Sequence, residues 1–298
     1  MKYQATIGCI SFLSLFLLYN CSPGQEHPDD LSLVLTVTDV TVFNGHDGSV
    51  MLDVTGGITP YSYLWSNGEM TKDIEGVPAG IYSVTVTDAR DSSATATDTV
   101  KHPIPENLLM DIQGNIYTTV RIGKQIWMQQ NLRVSVDPDS TPITSYVYDG
   151  IEELAKTYGR LYTWDAAMNG STAEKAQGIC PDGWHIPSDE EWKILEMYLG
   201  MTRAEADLSN VWRGEGVGAK LRPGGGSGYD VLYSGRRANS GGYALLRWYE
   251  YVWTSTESGS YAWRRCLDSI PSVTTIGRFN TFPKSYGFSV RCIKNNPK

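Results

Sequence analysis

The sequence predicts two folded domains behind a short export segment: an all-β sandwich, then a mixed α+β domain. Three observations predict it. Residues 31–102 alternate apolar and polar side chains with period two and show no helical period. Residues 108–295 hold eight of the nine tryptophans and two helix-opening capping boxes among glycine-rich stretches. The length of 298 residues suits about two domains at roughly 150 residues each. The composition also excludes some classes. With 11% aromatic and only 19% charged residues the chain is not disordered. With a net charge of −8 and no basic stripe, it is not a nucleic-acid binder, which needs Lys and Arg to neutralise phosphates.

Residues 1–20 read as a signal peptide. Lys2 supplies the positive end, and Ile7 to Leu18 is an apolar run too short for a membrane span of ~20 residues. Cys21 follows Leu18-Tyr19-Asn20, a pattern that resembles a bacterial lipobox, so Cys21 is the expected lipidation site and membrane anchor. An ordinary secretory signal with an incidental cysteine is the alternative. Residues 21–30 then form a lipidated tether: two prolines, no large apolar side chain, and the acids Glu26, Asp29 and Asp30. Those acids resemble the acidic export signal of surface-exposed lipoproteins of the Bacteroidetes, and acidity is also common in solvated linkers.

Within residues 31–102, Leu31, Leu33, Leu35 and Val37 alternate with small or polar neighbours, as do Val50, Leu52 and Val54, then Tyr82, Val84 and Val86. Turn signals separate these runs at Asn44-Gly45, Gly56-Gly57, Asn67-Gly68 and Pro78-Ala79-Gly80. Short strands at this spacing imply an Ig-like β-sandwich, with Trp65 in the core and a tyrosine corner at Tyr82. The segment Gly48 to Ala89 resembles the SprB repeat of bacterial surface adhesins. It does so through Gly56-Gly57, Pro60-Tyr61-Ser62-Tyr63-Leu64-Trp65-Ser66-Asn67-Gly68, Pro78-Ala79-Gly80 and Val84-Thr85-Val86. A single copy implies a spacer or adhesion module. Residues 103–107, with Pro103 and Pro105, read as a linker.

In residues 108–295, Asp111 to Tyr117 reads as a hairpin opening that continues through Ile122 and turns at Gly123-Lys124 into Gln125 to Met128. Ser188-Asp189-Glu190-Glu191 opens a helix to about Leu199 that Gly200 ends, and Thr202-Arg203-Ala204-Glu205 opens a shorter one. A third helix is expected near Thr163 to Met168. After Gly214 the expectation is glycine-rich loop and short strands, with Asp268 to Phe282 largely loop.

This stretch resembles the Fibrobacter succinogenes major paralogous domain family. The carriers include Ile122-Gly123-Lys124-Gln125-Ile126-Trp127-Met128, Gly159-Arg160-Leu161-Tyr162-Thr163-Trp164, Cys180-Pro181-Asp182-Gly183-Trp184-His185-Ile186-Pro187-Ser188-Asp189-Glu190-Glu191-Trp192, Trp253-Thr254-Ser255-Thr256 and Gly287-Phe288-Ser289-Val290-Arg291-Cys292. The helix start is also similar to that of formylglycine-generating-type proteins. Together these imply a C-type-lectin-like α+β domain in a secreted or lipid-anchored bacterial protein. The resemblance further implies a disulfide between Cys180 and Cys292, which leaves Cys266 as a buried thiol.

No catalytic constellation is legible. His185 is the only histidine after residue 102, and its expected role is a structural hydrogen bond. No G-x-S-x-G elbow exists, and no lectin calcium motif is present, so neither metal nor cofactor is expected. Asp137-Pro138-Asp139 reads as a solvated turn, and the glycine runs Gly214 to Gly218 and Gly224 to Gly226 as tight turns. Arg160, Arg236, Arg237 and Trp253 are the candidate ligand surface, because Arg and aromatic side chains dominate binding hot spots; core packing is the competing reading. The expected function is a lipid-anchored envelope protein, surface-exposed on the outer membrane, that binds polysaccharide or protein without catalysis. The alternatives are an enzyme on a formylglycine-generating-type fold and a structural fimbrial or matrix component.

Overall fold

The computed structural model describes residues 30–295. Cys21 and the signal peptide lie outside them. The chain divides into two compact units between Pro103 and Ile104, each described by itself below.

In the first unit, the period-two segments form β1 (Ser32–Thr38), β2 (Gly48–Thr55) and β5 (Gly80–Thr87), joined by β3 (Ser62–Trp65), β4 (Ile74–Val77) and β6 (Ser93–Val100). They make two antiparallel three-stranded sheets, β1-β2-β4 and β3-β5-β6. Because side chains alternate across a strand, Val50 and Leu52 of one sheet and Trp65, Val84 and Val86 of the other meet in one core, which makes the unit a sandwich. The Tyr82 hydroxyl donates to Pro78 O at 2.9 Å and closes the expected corner. Gly56 has φ +73°, and a Cβ there would stand 1.9 Å from Asp30 O, so glycine is required.

The second unit is also mostly strand, in several sheets, with few helices. Its first strands β7 (Leu108–Met110), β8 (Ile116–Ile122) and β9 (Gln125–Met128) join two distant ones, β12 (Trp184–His185) and β19 (Ile293–Lys294). The sheet order is β12-β19-β9-β8-β7, so the last strand of the unit is inserted beside its first ones. The β7–β8 turn is held by Asp111, whose Oδ1 accepts from Gln113 N (3.0 Å) and Asn115 N (2.9 Å). A second sheet runs β13-β18-β17-β16, from β13 (Val211–Arg213), β16 (Tyr249–Ser258), β17 (Tyr261–Asp268) and β18 (Ile276–Phe279). Two separate strand pairs complete the unit: β10 (Ser145–Tyr146) with β11 (Leu161–Tyr162), and β14 (Arg236–Arg237) with β15 (Tyr243–Ala244).

The helices are short: α1 (Glu152–Tyr158), α2 (Trp164–Ala167), α3 (Asp189–Tyr198), α4 (Arg203–Asp207) and α5 (Val217–Lys220). Both expected capping boxes form, at Ser188 with Glu191 and at Thr202 with Glu205. Thr163 caps α2. α1 and α5 were not legible; α5 grows out of the glycine run expected to be only turns, behind Gly216 in the left-handed region.

The long strands of the β16–β17 hairpin correct the expectation of only short strands after Gly214, while Asp268 to Phe282 is largely loop as expected, interrupted by β18. The hairpin separates two apolar clusters. Trp253 and Cys266 belong to one, with Tyr162, Trp164, Phe288 and the Cys180–Cys292 bridge. Val252 and Leu267 belong to the other, with Trp127, Trp192, Leu195 and Ile276. Both faces of the hairpin are therefore covered, and no polar alternation marks its strands in the sequence. The bridge spans 112 residues with Cα atoms 6.0 Å apart, and Cys266 is a free, buried thiol.

Candidate functional site

Strand parity also sorts the arginines of β17. Arg265 points with Leu267 toward α3, where Nη1 donates to Asp189 (2.7 Å) and Nε to Glu196 (2.6 Å). Arg278 of β18 reaches the same Asp189 at 2.8 Å, and Arg213 of β13 reaches Glu196 at 2.5 Å. Burial opposes ionisation of Asp189, but Arg265 and Arg278 together outweigh it and hold its carboxyl well below the usual range. These three buried arginines thus have acid partners, and Arg291 is satisfied by Asn131 Oδ1 at 2.8 Å and Asp230 O at 3.0 Å.

Arg264 points the other way and meets no acid. It is 4% exposed, and its Nε and Nη1 have no partner among the described residues. Its Cζ lies over four rings: Phe282 (4.5 Å), Phe279 (5.0 Å), Tyr251 (5.2 Å) and Phe288 (5.6 Å). Cation–π attraction compensates part of its desolvation. Burial draws its pKa down from the ordinary arginine value. On the same side Cys266 is pushed up to about 12 by burial, against the smaller opposing pull of Arg264.

Arg236 meets this cluster from β14. Its Cζ sits 5.1 Å from the Phe282 ring and 5.5 Å from Tyr286, and its Nε has no partner among the described residues. Phe282 and Tyr286 are stacked, 4.7 Å apart at 6°. Gly235, φ +69°, lets the start of β14 lie close against β15, since a Cβ there would lie 2.6 Å from Ala244 O. Phe279 carries the aromatic run outward to Trp212, 6.0 Å away and 38% exposed. Trp212 also faces Tyr249 at 6.4 Å.

The expected ligand surface is only partly assembled. Arg237, next along β14, faces the opposite way by parity and stacks on Tyr146 at 3.8 Å. Arg160 lies near that ring: its Nε donates to Ser145 (2.9 Å), while its Nη atoms clamp Glu152 (2.8 and 3.3 Å). Arg160 therefore ties α1 to β10 and is already engaged. Trp253 is a correction. It is fully buried, packs 4.4 Å from Phe288 and donates from Nε1 to Tyr162 O at 2.9 Å, so it belongs to the core and not to a ligand surface. Sequence reading missed Arg264, Phe282 and Tyr286. The available signal was the Trp263-Arg264-Arg265-Cys266 run, in which parity must send adjacent charges to opposite faces.

The other candidates are occupied. His185 is buried, with Nδ1 2.5 Å from Asn295 Oδ1 and Nε2 3.1 Å from both Glu191 oxygens. Burial would raise the Glu191 pKa, but His185 and Ser188 hold it down at about 2. Ser188 Oγ donates to the same carboxylate at 2.9 Å. Asp137 does form a turn, yet it is buried; its Oδ1 accepts from Asp139 N (3.0 Å) and Thr141 N (2.8 Å). A cavity of about 330 Å³ opens beside Leu109, Val134, Pro138, Ile179 and Pro181, and one of about 440 Å³ beside Asp139, Asn169, Gln177 and Asp182. In the first, Asp111 is bound to the Tyr117 hydroxyl (2.6 Å); in the second, Asp182 accepts from Gln177 (3.0 Å). Among the described residues no group of three His, Cys, Asp or Glu is placed to hold a metal ion. No described helix is long and apolar enough to cross a membrane.

Fold and site define a two-unit, β-rich protein. The Fibrobacter succinogenes major domain model matches residues 120–294, more than half of the chain, and the chain belongs to that family. The SprB repeat model matches residues 34–70. Domain and repeat together point to a cell-surface protein. No curated protein and no solved structure matches the chain.

Proposed function

We propose that the chain is a lipid-anchored envelope protein, exposed on the outer surface, whose C-terminal unit binds polysaccharide or protein without catalysis. The observation that carries this reading is the arginine–aromatic run from Arg264 through Phe282 and Arg236 and through Phe279 to exposed Trp212. Such surfaces recognise ligands by stacking and charge. A C-type-lectin-like fold suits this unit: few helices, two larger sheets with two small strand pairs, and a bridge from before α3 to just before the last strand. The lipid anchor at Cys21 and the sandwich as a spacer complete the proposal.

The non-catalytic reading is supported by the state of the cysteines. Formylglycine-generating-type chemistry needs a reactive pair, whereas Cys292 is bridged and Cys266 is a buried, protonated thiol. A glycan and protein array probed with the mature chain carrying Cys21→Ser tests the function. Binding that weakens in Arg236→Ala is expected; no binding to any member of the array sinks the reading.

A further inference from the structure

We propose that Arg236 and Arg264 form a carboxylate seat, and that the ligand of this surface is an acidic, uronate-bearing polysaccharide. The inference rests on the binding reading above and names its chemistry.

Two positive guanidinia face one ring, Phe282, at 5.1 and 4.5 Å. Like charges this close, one of them buried, repel in a medium that screens poorly. The other buried arginines show that this chain supplies acids or carbonyls where a guanidinium needs them. Here it does not. Asp268 lies on the same face of β17 as Arg264, but four residues along a strand is about 13 Å. Its Oδ1 accepts from Ile270 N at 2.8 Å instead. Two guanidinium nitrogens of Arg264, Nε and Nη1, and Nε of Arg236 are left without acceptors among the described residues.

A carboxylate satisfies such donors best, because charge-assisted bonds from arginine are the strong ones. Arg236 on β14 is half-buried and Arg264 on β17 almost fully buried, so the two donors lie at different depths beside Phe282. The surroundings select the rest of the ligand. Flat rings at Phe279, Tyr286 and exposed Trp212 offer stacking faces for sugar rings beside the charged seat. A uronate residue presents both features, a carboxylate and a stackable ring, within one monosaccharide.

The test is calorimetric titration of the mature Cys21→Ser chain with uronate oligomers and with the same oligomers after carboxyl reduction. Binding of the uronates is expected, with at least tenfold loss on carboxyl reduction and a similar loss in Arg236→Gln. A rise in melting temperature on adding uronate, absent in Arg236→Gln, is expected alongside. Arg264→Lys, which keeps the charge and guards against misfolding, should retain weakened binding. Equal affinity for reduced and unreduced oligomers, unchanged affinity in Arg236→Gln, or binding of acidic peptides alone would overturn the seat. Neutral glycans binding alone would overturn it while leaving the binding function standing. Failure to bind any glycan or protein removes both.

Discussion

Arg265 and Asp189, 76 residues apart in sequence, meet at 2.7 Å in a buried ion pair. Asp189 is the first residue of α3 and Arg265 lies in β17, so the pair fastens the main helix to the central hairpin. Arg278 donates to the same carboxylate, and Asp189→Asn would leave two buried guanidinia short of one anion. Breaking a buried pair from one side costs ~3–5 kcal/mol. Urea unfolding of the C-terminal unit should register that loss; a change below about 1 kcal/mol would contradict the role given to the pair.

Acid should loosen the same helix start. Asp189 and Glu191 both have carboxyl pKa values depressed in the folded state, Glu191 to about 2. Depressed carboxylates add stability that is fully present above their ordinary values near 4 and is lost as pH falls through the folded ones. Melting temperature should therefore hold from neutral pH down to about 4.5, then fall toward pH 2. Glu191→Gln should start lower and show a shallower fall in that window. An identical slope in the variant would show that Glu191 is not part of the linkage.

The Cys180–Cys292 bridge closes a loop of 112 residues. On the chain-entropy model a ~100-residue loop contributes ~4.7 kcal/mol, an upper figure. Cys180→Ser should destabilise the second unit and leave the melting of the sandwich unit unchanged. Peptide mapping of the unreduced protein should recover the 180–292 link; a link to Cys266 would overturn the assignment.

At the membrane the prediction concerns Cys21. Several acyl chains at ~0.8 kcal/mol per buried methylene anchor a protein firmly, where one chain is marginal. Cys21→Ser should release the protein in soluble form and abolish fatty-acid labelling. Unchanged labelling and membrane fractionation in the variant would refute the anchor.

Local chemistry determined much of this protein from sequence alone. Period two produced the strands of the sandwich, Tyr82 its corner, and the Ser188–Glu191 and Thr202–Glu205 boxes the starts of α3 and α4. Each signal acts within a few residues, so each is legible in a short window. The motifs around Trp127, Trp184 and Arg291 likewise identified the family. The candidate site was only partly legible. Arg236 was named and Arg264 was not, while Trp253 was named and proved to be core. The physical reason is that tertiary structure decides which side of the β16–β17 hairpin faces acids and which faces rings. Arg264 and Arg265 are neighbours with the same side chain. Parity sends one to Asp189 and the other to Phe282, and only the fold places those two partners on opposite faces of one strand.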